Sequence, residues 1–256
     1  MSFDPVLAWE SLPALLTGAW MTLLVTFTSL VVGGPLGFVV AFARMSRNRW
    51  LAAFGAFYVA VCRGAPSLIL LYLVYNGLAQ VELIRNGPLW FFFQNAFFCV
   101  VVSFSLNHSG YVVEILKGGM ESVPAGLLEA AAALGLSPRE ILFKVKLPVA
   151  IRYGMRAYQN ESLIFMKSTA AVSAVTLTDL TAAANEIFYL TYDAFTPIIT
   201  AGAIYWVINN LMRLGFDAAD RALNRHLYVM NAEQAGKHKP AAARRAAPRK
   251  IEDPAA

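Results

Sequence analysis

Ionisable side chains are rare in the apolar stretches of this chain, and several of them fall in one run. Glu161, Lys167 and Asp179 lie between residues 158 and 184, together with many hydroxyl side chains. The hydroxyl residues of this run include Ser168, Thr169, Ser173, Thr176, Thr178 and Thr181. Charges of both signs beside hydroxyls suit a zwitterionic ligand, because each of its charged ends needs a partner of opposite sign. Small side chains also serve helix packing, and that alternative stays open.

Three further ionisable residues adjoin apolar stretches, and each has two interpretations. Arg63 is an anchor at the membrane edge if a span begins directly after it, or a group at a helix break if the helix starts near Leu51. Glu114 either pairs with Lys117 or belongs to a gate. His108 either is a hydrogen-bonded interior histidine or contacts substrate or relays protons. The candidate pathway residues are therefore Arg63, His108, Glu114, Glu161, Lys167, Ser168, Thr169 and Asp179.

These residues do not match a catalytic or metal-binding pattern. No nucleophile is spaced with a base, and Cys62 and Cys99 each stand alone in apolar surroundings. A phosphate-binding loop requires G-x-x-x-x-G-K-[ST], whereas Gly236-Lys237 is followed by His238. We therefore expect a chain that is no enzyme, holds no metal or cofactor and does not hydrolyse ATP.

The elements that position these residues are membrane spans. The chain of 256 residues is 58% hydrophobic and 14% charged, which is too apolar for an ordinary soluble domain. A spanning helix needs about 20 mainly apolar residues, and five stretches meet or approach this length. The expected spans are 18–43, 64–80 (or from residue 51), 89–113, 158–184 and 195–212. The fold class predicted is an all-α membrane protein, and the GGPLG stretch at 33–37 predicts a kink or close helix packing.

Basic residues indicate the orientation of the spans. The loops on one side hold Arg44, Arg47, Arg49, Lys117, Arg139, Lys144, Lys146, Arg152, Arg156 and the basic residues from Arg213 onward. The loops on the other side hold Arg85 among the acidic residues Asp4, Glu10, Glu82, Glu186 and Asp193. Since basic loops stay in the cytoplasm, the N-terminus is expected outside and the C-terminus inside. The basic tail, 231–256, is expected to be disordered and to touch anionic lipid, with no nucleic-acid role. No basic residue precedes Arg44, so a cleaved signal peptide is not expected.

A polar insert, 117–157, lies on the basic side between the third and fourth expected spans. Pro124 suits the first turn of a helix through the Ala-rich run, and Gly135 suits its left-handed end. The sequence SPRE, 137–140, predicts a capping box that opens a second helix, which Pro148 is expected to end at about Lys146. The small side chains of residues 130–133 favour docking of another protein over an interfacial lipid helix, which would carry bulkier apolar residues.

The insert resembles a known family signature. Its residues Glu129, Ala130, Ala131, Gly135, Leu147 and Pro148 have the spacing of the EAA motif of ABC-transporter permease subunits, with Val145 where the motif prefers Ile. The stretches VCRGAPSLILLYLVYNGL and NESLIFMKSTAAVSAVTLTDL are similar to the polar amino-acid uptake branch, which includes histidine, glutamine, arginine and opine importers. The resemblance runs from about residue 18 to residue 225.

The resemblance implies both a fold and a set of partners. It implies a five-span core of the methionine-importer type, with residues 1–17 as a periplasmic segment and 18–230 as the permease domain. The EAA residues would be the coupling helix, seated on a separate cytoplasmic ATPase that holds ATP and Mg²⁺. A second permease subunit, identical or related, and a periplasmic binding protein would complete an importer of a polar amino acid or an opine-like derivative. A stand-alone channel or ion-coupled carrier, or a membrane-embedded enzyme built on Glu161, Asp179 and His108, are the alternatives.

Overall fold

The computed structural model describes residues 3–224, and every regular element in that part of the chain is helical. The α-helices are α1 (Pro5–Arg44), α2 (Arg49–Gly64), α3 (Ser67–Tyr72), α4 (Glu82–Arg85), α5 (Trp90–Phe93), α6 (Ala96–Glu121), α7 (Ala125–Ala133), α8 (Pro138–Glu140), α9 (Leu147–Ser168), α10 (Leu180–Thr191) and α11 (Phe195–Leu223). The π-helical turns are Leu73–Gly77 and Ile141–Lys146, and the 3₁₀ turns are Leu78–Gln80 and Thr169–Ala174. The predicted all-α class is confirmed for these residues, whereas the predicted tail, 231–256, lies outside them.

Three helices, α1, α6 and α11, are each long and apolar enough to cross a membrane. A fourth crossing is formed if α2 and the helical stretch Ser67–Gln80 count as one span, although they are bent by 102° at the break between them. The described residues therefore contain three or four such elements, where the sequence predicted five.

The predicted span 158–184 is wrong as a single helix. Helix α9 ends at Ser168, a 3₁₀ turn follows, and α10 starts only at Leu180. The hydroxyl side chains at this break donate to backbone carbonyls three residues earlier: Ser168 Oγ to Phe165 (2.7 Å), Thr169 Oγ1 to Met166 (2.6 Å) and Ser173 Oγ to Ala170 (2.8 Å). Such bonds satisfy carbonyl groups that a continuous helix would satisfy with its own N–H groups, and so they favour the break.

Of the two starts predicted for the second span, the one near residue 51 agrees with the structure, because the helix begins at Arg49 and not at Gly64. The residue before Pro66 is Ala65, which is extended at φ −85° and ψ 135°. A proline disfavours the helical conformation in the residue before it and cannot donate a backbone hydrogen bond, so the helix stops here. Arg63 therefore lies in the last turn of α2, beside the break.

Two helices begin several residues away from the starts of the spans predicted for them. Helix α1 begins at Pro5, where the Asp4 carboxylate accepts from the backbone N–H of Val6 at 2.9 Å, and it continues through Pro13 and Pro35. The third span, predicted from residue 89, begins at Ala96 behind the separate short helix α5. In both cases a capping side chain sets the start of the helix, and apolar run length does not report it.

Close packing of α1 against α6 is confirmed at the GGPLG stretch. A Cβ atom at Gly37 would lie 2.6 Å from the Ser109 carbonyl oxygen, and one at Gly33 would lie 2.8 Å from the Ser105 carbonyl oxygen. Only glycine allows the two backbones this separation. The contact fixes α6, which carries the candidate residues His108 and Glu114, against α1, the longest of the described helices.

We predict that Gly37→Ala lowers the free energy of unfolding by about 1–3 kcal/mol, the usual cost of overpacking a core. The matched control is Gly34→Ala in the same helix, because a Cβ there meets only the Tyr158 hydroxyl at 3.9 Å. Thermal unfolding of both variants in detergent checks the prediction. Equal midpoints for the two variants would contradict it.

Candidate functional site

Two adjoining cavities lie between α2, α6 and α9, with volumes of about 510 and 280 Å³. They share three lining residues, Arg63, Tyr111 and Glu161, and we call the two together the charged cavity. The larger cavity reaches Ser122 and Tyr153, close to the polar insert. The smaller cavity reaches Ser67 and Ser168, and we call it the deeper part of the charged cavity. Its size is that of sites that hold small molecules.

The charged groups of this cavity face it from three helices. Arg63 comes from α2, Glu114 from α6 and Glu161 from α9, and the Arg63 guanidinium lies 5.1 Å from the centroid of the Tyr111 ring. No ion pair within 4.0 Å joins Arg63 to either glutamate among residues 3–224. The cavity therefore presents one cationic and two anionic groups that are not neutralised by direct contact.

The helix break beside Arg63 is held by a side chain of α6. Asn107 Nδ2 donates to the Cys62 carbonyl oxygen at 2.8 Å, which satisfies a carbonyl group at the end of α2. Asn107 is 6% exposed and also lines the deeper part of the cavity. The bond thus fixes the end of α2, and with it Arg63, relative to α6.

Four of the eight candidate pathway residues line the charged cavity: Arg63, Glu114, Glu161 and Ser168. Arg63 occupies a helix break, as one of its two interpretations expected, but its side chain is exposed and not buried. The pairing of Glu114 with Lys117 is not found, because Lys117 Nζ lies 3.9 Å from Glu121 Oε1 instead.

The other four candidates do not line it. His108 is fully buried, with its ring 5.0 Å from that of Phe165, and neither ring nitrogen has a hydrogen-bond partner among the described residues. Thr169 is fully buried and Lys167 is exposed. The Asp179 carboxylate caps α10 by accepting from Ala182 N at 2.9 Å. In this structure Asp179 and Thr169 make helix-end contacts, and His108 makes ring contacts.

Sequence reasoning missed Asn107, Tyr111 and Asn160, which also line the cavity. Helical spacing was the signal that could have found them. Asn107, Tyr111, Glu114 and Gly118 recur at intervals of four and three along α6, as do Ala157, Glu161, Ile164 and Ser168 along α9. Residues at these intervals share one helix face, so each glutamate indicated which face of its helix lines the cavity.

The polar insert forms the predicted pair of short helices. Helix α7 ends at Ala133, Gly135 follows with φ +78°, and Ser137 and Glu140 make the capping box that opens α8. The Ser137 N–H donates to Glu140 Oε2 at 3.0 Å, and Lys144 Nζ lies 2.8 Å from Glu140 Oε1. We call residues 125–148 the coupling segment.

The ending predicted at Pro148 is wrong. The chain stays helical through the π-helical turn Ile141–Lys146 and continues directly into α9, with Pro148 in the first turn of α9. Pro148 removes one backbone N–H donor at the junction, and the change from the π-helical turn to α9 falls at the same place. The coupling segment is therefore connected to α9, and so to Glu161, by uninterrupted helical structure.

Some residues of the predicted docking motif are exposed and others are buried. Glu129, Ala130 and Gly135 are exposed, whereas Ala131 is 6% exposed and Leu147 is 8% exposed. Leu147 packs in a core cluster with Leu116 and Met120. The buried members hold the segment to the helical body, and the exposed members, with Leu134 at 81% exposure, present a surface to solution.

The capping box is stable at physiological pH. The hydrogen bond from Lys144, followed by those from the Ser137 N–H and hydroxyl, lowers the pKa of Glu140 to about 2. A carboxyl group with a lowered pKa contributes stability above its unfolded pKa, near 4.5, and loses it as pH falls through about 2. Glu140 thus remains ionised, and the box remains formed, at any pH near neutrality.

Comparison with known proteins gives one family. Residues 33–225 match the binding-protein-dependent transport system inner membrane component family. The chain is 34% identical over 223 residues to the octopine transport system permease protein OccM of Rhizobium radiobacter, covering 87% of this chain and 91% of that protein. It is 32% identical over 212 residues to the histidine/lysine/arginine/ornithine transport system permease protein HisM of Salmonella typhimurium, covering 82% of this chain and 90% of that protein.

Solved structures agree with this match. The crystal structure of an amino acid ABC transporter with histidines superposes with a TM-score of 0.77 at 32% identity, covering 87% of this chain and 100% of that one. An inward-facing structure of the MetNI methionine ABC transporter superposes with a TM-score of 0.63 at 21% identity, covering 86% and 99%. The similarity to the methionine transporter shows only that the two chains share a fold.

Proposed function

The chain belongs to the family of inner-membrane components of binding-protein-dependent transport systems, it is a permease subunit of an ABC importer, and we propose that its ligand is a cationic amino acid or an amino-acid derivative such as an opine. The permease assignment and the inner-membrane location follow from the family and its relatives. The cationic character of the ligand is inferred from the charged cavity.

The observation that carries the ligand proposal is the charge of this cavity. Arg63 supplies one guanidinium for a ligand carboxylate, and Glu114 and Glu161 supply two carboxylates for an ammonium group and a second cation. Arginine, lysine and ornithine, which appear in the name of the HisM relative, carry these three charges. A neutral amino acid would leave one of the two carboxylates without a cationic partner.

We propose five crossings with the N-terminus outside and the C-terminus in the cytoplasm. Helices α9 and α10, with the 3₁₀ turn between them, then form one broken crossing in place of the predicted continuous fourth span. This arrangement is supported by the basic residues of the coupling segment and the acidic residues near the opposite ends of the helices. Residues 1–17, 18–230 and 231–256 remain the proposed periplasmic segment, permease domain and cytoplasmic tail.

The coupling segment is the proposed contact with a separate ATPase. Its support is the exposed face of α7, with Glu129 and Ala130, and the helical connection from the segment to Glu161. That partner would hold ATP and Mg²⁺. We propose no ATP- or Mg²⁺-binding role for any of the eight candidate pathway residues. A second permease subunit and a periplasmic binding protein complete the proposed importer, with lipid around the spans.

The proposal is tested by competition in proteoliposomes that contain the complete importer, ATP inside and the binding protein outside. Arginine and lysine are expected to compete for uptake of the labelled ligand, and glutamine and glutamate are expected to compete more than 10-fold less well. Equal competition by glutamate would exclude a cationic ligand. Uptake that does not depend on ATP would favour a channel or an ion-coupled carrier.

A further inference from the structure

The charged cavity runs along α6 and α9, away from the coupling segment. On α9 its lining proceeds from Tyr153 through Glu161 to Ser168, and on α6 it proceeds from Ser122 to Asn107. The deeper part is lined by the first residue of α3 and the last residue of α9. The far end of the cavity therefore lies where α3 begins and where α9 gives way to the 3₁₀ turn.

The segments that follow α3 and α9 both leave the α-helical form. Helix α3 runs into the π-helical turn Leu73–Gly77, and α9 runs into the 3₁₀ turn Thr169–Ala174. The chain then becomes extended at Val175, with φ −121° and ψ 174°. Interruptions of these two kinds recur where helices bend or act as hinges.

A side-chain hydrogen bond joins the two interrupted segments. The Tyr75 hydroxyl, in the π-helical turn, lies 2.8 Å from Thr176 Oγ1, just after the 3₁₀ turn. The two residues are 101 positions apart in the sequence, so the bond closes a long-range contact and not a local turn. Its atoms are exposed, so water competes for it and it contributes only about the net value of one hydrogen bond.

Buried apolar residues lie along both segments between the cavity-lining residues and this bond. Leu71 lies four residues after Ser67 and four before Tyr75, and Val172 lies four residues after Ser168 and four before Thr176. Both side chains are 0% exposed. They pack with Phe165, itself 2% exposed and a lining residue of the deeper cavity. A polar ligand that entered from the far end of the cavity would have to pass these apolar side chains.

We propose that Tyr75 and Thr176 form an outer latch, a hydrogen bond that holds the far end of the charged cavity closed and that breaks when ligand enters. The inference rests on the proposed function, because the latch faces outward only if the coupling segment faces the cytoplasm. Opening separates the π-helical turn from the 3₁₀ turn and removes Leu71 and Val172 from the path. The latch controls access and does not bind the ligand.

The test measures access to the cavity from outside. Ser67→Cys places a thiol at the cavity's deeper end, and its rate of reaction with a membrane-impermeant thiol reagent is measured in right-side-out vesicles holding the complete importer without nucleotide. The importer without this substitution gives the background from the buried Cys62 and Cys99. Ala65→Cys, which also lies on the cavity wall, is a second reporter if Ser67→Cys impairs folding.

The latch is removed by Tyr75→Phe or by Thr176→Val, each of which keeps the shape of the side chain. Either change is expected to speed labelling from outside by about 2- to 10-fold, the shift that follows from losing one net hydrogen bond. The matched controls are Tyr72→Phe and Thr178→Val, because no hydrogen bond from either hydroxyl is found within residues 3–224. Labelling rates of the two latch variants that equal those of the controls would overturn the inference.

A separate arm tests the proposed function alone. In inside-out vesicles, arginine is expected to slow labelling of the introduced thiol, because both occupy the charged cavity. If arginine gives no protection, the ligand proposal fails whatever the latch variants do. If arginine protects and the latch variants do not differ from their controls, only the latch is wrong.

Discussion

Arg63→Met is expected to lower uptake by about 10- to 100-fold at ligand concentrations below saturation, while the protein still inserts and assembles. The guanidinium is the cationic group that the described lining of the charged cavity offers to a ligand carboxylate. A hydrogen bond to a charged group contributes about 1.5–3 kcal/mol, and about 1.4 kcal/mol corresponds to a factor of ten in binding. The measurement is initial uptake rate against ligand concentration in proteoliposomes.

Two matched variants separate binding from folding. Arg85→Met removes an arginine from the exposed short helix α4, outside the cavity, and is expected to leave uptake unchanged. Glu161→Gln keeps the size of the side chain and removes one of the two carboxylates, so it is expected to weaken competition by lysine more than competition by glutamine. Normal uptake by the Arg63→Met variant would show that this cavity does not hold the ligand.

Gly135→Pro is expected to reduce ATP-driven uptake by at least about 10-fold without loss of membrane insertion. Gly135 has φ +78°, whereas proline is fixed near −65°, and its N–H donates to the Ala132 carbonyl at 2.9 Å, a bond that proline cannot make. The substitution therefore changes the bend between α7 and α8, where the ATPase is proposed to sit. The measurements on this variant are the rate of ligand uptake and the rate of ATP hydrolysis stimulated by the binding protein.

The control for this variant is Gly126→Ala, also in the coupling segment, where an added Cβ meets nothing within 4 Å. Glu129→Lys, which reverses an exposed charge of the docking face without a change of backbone, is expected to share the loss of uptake. If Gly135→Pro loses membrane insertion as well as uptake, the bend serves folding and not coupling. If it retains full uptake, the coupling segment does not transmit ATP hydrolysis.

The coupling segment was predictable from the sequence because its signals are local. A capping box, a left-handed glycine and an Ala-rich run each act over a few residues, and the structure has all three at the predicted positions. The one error, at Pro148, arose because a proline in a first helical turn and a proline after a helix look the same in sequence.

The charged cavity was predictable only in part because it depends on tertiary packing. Charge and hydroxyl content marked residues 158–184, but only Glu161 and Ser168 of the candidates there line the cavity, since the chain breaks after Ser168. Whether Asp179 faces a cavity or caps α10 depends on where that break falls. The sequence also gave no sign that His108 would be buried against Phe165 without a hydrogen-bond partner among the described residues.

The central claim is that this chain carries the path for a ligand and that a separate ATPase supplies the energy. The most direct measurement is uptake of labelled arginine into proteoliposomes containing the purified importer, with ATP or a non-hydrolysable analogue trapped inside and the binding protein outside. We predict uptake against a concentration gradient with ATP, none with the analogue, and loss of both uptake and ATPase co-purification when the coupling segment carries Glu129→Lys. Equal uptake with and without ATP, by a chain that purifies alone in mild detergent, would contradict the claim.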